Sequence, residues 1–224
     1  MWIGLVGSEM CIRDSALDAN TTASNNTGIG DNALGANTTG ANNTALGSVA
    51  LLANTTASNN TALGKSALQA NTTGSENTAV GANALDSNQT GNNNTAIGYL
   101  SLDKTLEDDN VAVGNYTLRE NTTGEYNTAV GYQALTKNTT ADYNTAFGYK
   151  ALNQNTTGAR NTALGASALD ANQTGNYNVA LGYGSLGANT ASNNVALGYD
   201  ALTSNTTGGN NIAVGYNACL LYTS

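Results

Sequence analysis

The residues that could do chemistry are few, and their types exclude most of it. The chain has 224 residues and no His, so neither a Ser-His-Asp nor a Cys-His nucleophile can be assembled. Its two Cys, Cys11 and Cys219, stand near opposite ends, and a zinc centre lacks ligands. Of the fifteen carboxylates, most are isolated, as Asp31, Glu76, Asp142 and Asp200 are, whereas glycoside hydrolysis needs two in one cleft. The one acidic run is Glu107-Asp108-Asp109. It reads either as a calcium site or as a solvated, irregular segment. The second reading fits better, because the G-G-x-G-x-D calcium repeat is absent. No catalytic residue, no cofactor and no metal ligand is therefore expected, and the chain reads as non-enzymatic.

Charge narrows the partners. Seven Lys and Arg against fifteen acids leave a net charge of −8, the wrong sign for a nucleic-acid surface. No run of about 20 apolar residues is present, so no membrane contact is expected within this chain. The opening MWIGLVGSEM lacks the basic start and long apolar centre of a signal peptide. Asn-Thr-Thr and Asn-Asn-Thr match the glycosylation pattern many times, but this composition makes such matches inevitable.

The elements that would position any site are set by a repeat. A Gly preceded by an apolar residue recurs at Gly30, Gly47, Gly64, Gly81, Gly98, Gly114, Gly131, Gly148, Gly165, Gly182, Gly198 and Gly215. The spacing is 17 residues in nine cases and 16 in two. The consensus is N-T-A-[VIL]-G-Y-x-A-L-x-x-N-T-T-G-x-x, numbered below as columns 1 to 17. Column 1 is Asn in all twelve copies, from Asn26 to Asn211. Column 2 is β-branched throughout, column 4 is large and apolar, and column 9 is Leu from Leu34 to Leu202. Columns 7, 10 and 16 show no fixed residue.

Columns 2 to 5 predict a short strand, since β-branched residues suit a pleated surface. Columns 2 and 4 face one way and the Ala of column 3 the other. The Gly permits a bend, and Asn-Thr-Thr-Gly carries turn chemistry. No Asn is followed directly by Gly, although that pair is the strongest hairpin signal. Parallel coils are therefore expected: an all-β solenoid of about twelve 17-residue coils, with Asn and Thr ladders between them. A short helical turn at YQAL remains an alternative. Columns 4 and 9 supply the two large apolar residues expected in each coil's core. That core is thin, so association with other chains is expected, with the Ala-rich columns 3 and 8 allowing chains to approach closely.

The register holds over residues 15–218 and fails outside it. Residues 1–14 carry the only Trp, both Met and Cys11, and residues 219–224 read CLLYTS. Both ends read as adapter-derived, non-native tails around a repeat solenoid; genuine caps are the alternative. A Cys11–Cys219 disulfide is not expected, because the two lie at opposite ends of such a stack.

Tyr is the one functional-looking residue with a pattern. All eleven follow position 98. Column 6 holds Tyr99, Tyr132, Tyr149, Tyr183, Tyr199 and Tyr216, and column 17 holds Tyr126, Tyr143 and Tyr177. If they face outward, they form aromatic stripes suited to a host-surface protein or glycan. The other reading is packing along a coil edge or an inter-chain seam.

The segment SALQANTTGSENTAVGANALDSNQTGNNNTAIGY resembles the YadA-like head repeats of trimeric autotransporter adhesins. Asn77-Thr78-Ala79-Val80-Gly81 and Ala84 carry the likeness, which extends over residues 15–218. It implies a left-handed parallel β-roll, a homotrimer, an extracellular or cell-surface location and an adhesive role. The repeat here is longer than the typical head repeat, by an inserted Asn-Thr-Thr-Gly, and so is also similar to repeats of phage tail-fibre-like proteins. Two alternatives to a surface adhesin follow: a phage tail-fibre shaft, and an ice-binding solenoid using paired threonines such as Thr139 and Thr140.

Overall fold

A computed structural model describes residues 10–12 and 15–219. The chain divides into two compact units, Met1–Asp109 and Asn110–Ser224. The division falls in the acidic 16-residue coil. The first unit stacks β1 (Met10–Ile12), β2 (Thr27–Ile29), β3 (Thr44–Leu46), β4 (Thr61–Leu63), β5 (Thr78–Val80) and β6 (Thr95–Ile97). The second stacks β7 (Val111–Val113), β8 (Thr128–Val130), β9 (Thr145–Phe147), β10 (Thr162–Leu164), β11 (Val179–Leu181), β12 (Val195–Leu197) and β13 (Ile212–Val214). Within each unit every strand pairs in parallel with the next, at an offset of one repeat: Thr44 faces Thr61, and Thr128 faces Thr145. The described residues contain no helix. The protein is an all-β parallel solenoid.

β1 lies within residues 1–14, yet Met10 pairs with Thr27 at the same offset. Strand pairing is made by the backbone, so a segment outside the repeat by composition can still add a rung.

The core differs from the expected one. The alternation is the expected one, but from β3 to β13 the inward residue of each strand is the Ala of column 3, with Gly28 in its place in β2, not the large residue of column 4. Ala45, Ala62, Ala129 and Ala146 are fully buried, whereas Leu46, Leu63, Phe147 and Leu164 are among the exposed large apolar residues. Column 8 and column 9 complete the interior, as in Ala134 and Leu135. The reason is width. A 17-residue coil brings opposite walls close together, so small side chains must line one wall and a single Leu fills the space. The Ala columns thus serve close approach within a coil. They do not face other chains.

The Gly of column 5 is fixed by two independent constraints. Gly148 has φ 137°, and a Cβ placed on it would lie 2.6 Å from the backbone oxygen of Gly165. The other anchor glycines share the positive φ, from 127° to 144°. After it the chain turns rather than forming a helix at YQAL. Ala134 N–H donates to Gly131 O at 3.2 Å, and Asn138 N–H to Leu135 O at 3.1 Å. Gln133 and Leu135 take φ of 59° and 50°, the left-handed region that a helix excludes. Column 9 thus places Leu, coil after coil, where its backbone is disfavoured by roughly 1–2 kcal/mol. Full burial of the side chain, roughly 1.5–3 kcal/mol, offsets that cost.

Polar ladders complete the interior. Column 1 and column 12 Asn side chains are buried and converge on one carbonyl per coil. In the coil starting at Asn43, Asn43 Nδ2 and Asn54 Nδ2 both donate to Ala57 O, at 2.8 and 3.0 Å. Asn43 Oδ1 accepts the N–H of Asn60 at 2.9 Å, and Asn54 Nδ2 also reaches Asn37 Oδ1 at 2.8 Å. Each amide therefore braces its own coil and ties it to a neighbour. A buried amide is tolerated only when satisfied in this way, which explains an Asn at column 1 in every copy. The second 16-residue coil interrupts the column 12 ladder. There Asn189 Nδ2 turns to Ala191 O at 2.8 Å, and the buried Asn172 Oδ1 is left without a partner.

Candidate functional site

The second unit assembles the Tyr residues into two solvent-facing ladders. Column 6 is built on the residue after the anchor Gly, where the chain leaves the sheet and its side chain must point outward. Tyr132 and Tyr149 stack with ring centroids 5.8 Å apart and planes 8° from parallel. Tyr183, Tyr199 and Tyr216 stack in sequence at 5.1 and 5.4 Å. Ala166 occupies the rung between these two groups. Tyr99 lies in the first unit and is exposed.

Column 17 forms the second ladder, immediately before the buried column 1 Asn. Tyr126 and Tyr143 stack at 5.0 Å and 9°. Arg160 occupies the next rung, its guanidinium carbon 5.2 Å from the Tyr143 centroid and 5.7 Å from that of Tyr177. Sequence reading singled out the Tyr of this column but missed Arg160, which joins them. The signal was the column itself: Asn occupies it in Asn25, Asn42, Asn59 and Asn93, and all described members have positive φ. Asn tolerates that conformation better than other side chains with a Cβ. Tyr126, Tyr143, Arg160 and Tyr177 hold it at φ 56° to 58° with their side chains in solvent.

The stacking decides what the ladders can offer. Ring faces inside a ladder lie against each other, so a sugar cannot stack on them. Outward they present ring edges and hydroxyls. The faces not stacked on a ladder ring lie at a ladder's end or at a missing rung, where Tyr116 meets Tyr132 at 88° and the Lys150 ammonium lies over Tyr149. The Tyr199 hydroxyl is held above its ordinary pKa, chiefly by the Asp200 carboxylate beside it, and stays protonated at neutral pH.

Other candidates resolve into structural roles. Asp108 Oδ1 accepts Asn92 N–H at 2.6 Å and Asn92 Nδ2 at 3.2 Å, so the acidic run ties two coils together. Among the described residues no three His, Cys, Asp or Glu are grouped to hold a metal. Column 16, without a fixed residue in the sequence, uses any side chain with an oxygen in this way: Ser75 Oγ accepts Ser58 N–H at 3.2 Å, and Asp142 Oδ1 accepts Glu125 N–H at 2.9 Å. Column 13 threonines bond along the stack too, as Thr139 Oγ1 donates to Thr156 O at 3.0 Å. Asn138, in an Asn-Thr-Thr match to the glycosylation pattern, is fully buried.

The remaining exposed feature is the outer face of the strands. Thr or Val at column 2 and Phe147, Leu164 and Leu181 at column 4 give the second unit a row of apolar side chains in solvent. Leu46, Leu63 and Ile97 do the same in the first. Compared with known proteins, the chain matches no family model, no curated protein and no solved structure.

Proposed function

We propose that the protein is a non-enzymatic structural and adhesive shaft whose chains associate, as a homotrimer, through the outer face of their strands. The observation that carries this is the apolar column 4. Leu164 remains 47 % exposed, and column 4 is large and apolar in every copy of the repeat. A repeated apolar stripe on a regular scaffold is an association surface. Three copies can close it around an axis, leaving the Tyr ladders and the Asn-Thr-Thr turns outside. The left-handed sense of the coil and the cell-surface location belong to this reading, which the resemblance to YadA-like heads supports. A phage tail-fibre shaft would use the same association. Ice binding through the paired threonines is disfavoured, since column 13 hydroxyls such as that of Thr139 are committed to backbone carbonyls.

Cross-linking tests it. With Cys11 and Cys219 both replaced by Ser, a Leu164→Cys variant should give inter-chain species with a short bismaleimide. A Thr140→Cys variant, on the turn, should not. Absence of inter-chain product from Leu164→Cys would remove the proposal.

A further inference from the structure

We propose that the gap over Ala166, between the rings of Tyr149 and Tyr183, receives an aromatic side chain of a partner protein. Ala166 stands at the one rung of column 6 between two Tyr ladders. The two flanking rings are therefore two rungs apart, about 10 Å at the ordinary spacing of paired strands. Tyr149 stacks on Tyr132, and Tyr183 on Tyr199, each within 15° of parallel. Both planes thus lie across the direction of stacking, and each turns a face towards the gap.

The same column shows what fits between two such rings. Tyr199 lies between Tyr183 and Tyr216, with centroids 5.1 and 5.4 Å away. A guest ring over Ala166 would take the equivalent place and complete one ladder from Tyr132 to Tyr216. Offset stacking at such distances adds to what burial of area alone contributes. The slot is also held in shape before any guest arrives. Ser167 N–H donates to Tyr149 O at 2.9 Å, Gly184 N–H to Ala166 O at 3.1 Å, and Asp200 N–H to Tyr183 O at 2.8 Å. Rung-to-rung bonds of this kind fix the spacing of the walls, so little ordering is left to cost affinity. Tyr149 and Tyr183 are both about half exposed.

A guanidinium also fits between two Tyr rings, as Arg160 does in column 17. Here it is disfavoured by charge. Lys150 Nζ lies over the Tyr149 ring, 5.3 Å from its centroid, while Tyr132 stacks on that ring from the other side; the ammonium thus borders the gap, where a second cation would meet a like charge. A neutral aromatic ring does not, and it offers the ammonium a second π face. Aromatic anchors in preformed pockets are the usual hot spots of protein interfaces.

This inference rests on the reading of the coil surface as an attachment surface, and its test is independent of oligomeric state. The full chain is titrated with N-acetyl-tryptophan amide by ligand-observed NMR, in parallel with N-acetyl-arginine amide and methyl glucoside. Ala166→Tyr fills the gap with a residue the column carries on both sides, and unchanged circular dichroism checks its fold. The tryptophan amide should bind the wild type best, and Ala166→Tyr and Tyr183→Ala should each weaken it by about tenfold or more. Thr140→Ala should leave it unchanged. Equal binding by Ala166→Tyr, tighter binding of the arginine amide or the glucoside, or no binding by the wild type overturns the proposal. A monomeric chain that binds at Ala166 would remove the trimer and keep the slot; a trimer that does not bind would do the reverse.

Discussion

Asn127 and Asn138 donate to the same carbonyl oxygen, that of Ala141, at 2.8 and 2.9 Å. One lies just before a strand and the other in a turn, so the shared acceptor closes the coil across its interior. Asn127 Oδ1 then accepts Asn144 N–H at 3.0 Å and carries the brace into the next coil. The stability of the solenoid rests on such internal braces as much as on its narrow apolar core.

Removing one brace should therefore be costly. Asn144→Ala deletes the donor to Gly158 O and the acceptor for Asn161 N–H. A buried group left unsatisfied costs about 1–3 kcal/mol, so a loss of about 2–4 kcal/mol is expected in chemical denaturation. Thr140→Ala, on an exposed turn, should stay within about 0.5 kcal/mol.

The anchor Gly should tolerate nothing larger. Val at Gly131 or Gly148 meets both a positive φ and a backbone oxygen 2.5 or 2.6 Å from its Cβ. Neither neighbour is a flexible side-chain end that could swing aside. A loss of about 4 kcal/mol or more is expected, the exceptional end of single substitutions, with a lower melting temperature by circular dichroism. Unchanged melting would show that the coils can part at this column without cost.

How much of this was legible in the sequence differs by column. The period, the strand and the Gly were readable because each depends on local residue type: a β-branched residue, an apolar residue, and a position that only Gly satisfies. The inward side of the strand was not. Ala129 and Val130 both fit an alternating pattern, and only the width of the coil decides that Ala faces in. The left-handed backbone at Leu135 was invisible, since Leu gives no such signal and tertiary packing imposes it. Column 16 was readable in principle: Ser58, Ser75, Asn92 and Asp142 share an oxygen at the same reach, though no residue type repeats. For the Tyr residues, sequence placed them in columns but not their rings, and stacking is what withdraws their faces from ligands.

Asp86 gives a pH dependence. Its carboxyl is pushed above the usual carboxylate range by burial first and then by the neighbouring Asp103, against a hydrogen bond from Asn83. A group whose folded pKa is raised binds its proton more tightly when folded. Its contribution to stability is present at acid pH, below the unfolded pKa, and is lost as pH rises through the folded value. Asp86→Asn should thus stabilise at pH 7, by no more than about 0.5 kcal/mol for a half-buried site that solvent still screens, and the gain should vanish in acid. A gain that persists unchanged in acid would show that charge is not its source.

The outer strand face should respond to charge without affecting the fold. Leu164→Lys places an ammonium in the apolar row between Phe147 and Leu181. The side chain points to solvent in the single chain, so circular dichroism should be unchanged while association is lost. Loss of structure together with association would instead mean that the coil cannot stand alone.

The mass of the full chain in solution tests the central claim most directly. One chain is 22.6 kDa. Sedimentation equilibrium should return three times that mass at micromolar concentration, and Leu164→Lys should return one. A wild-type chain that sediments as a folded 22.6 kDa monomer would contradict the account, because its apolar strand face would then be stable in water without a partner.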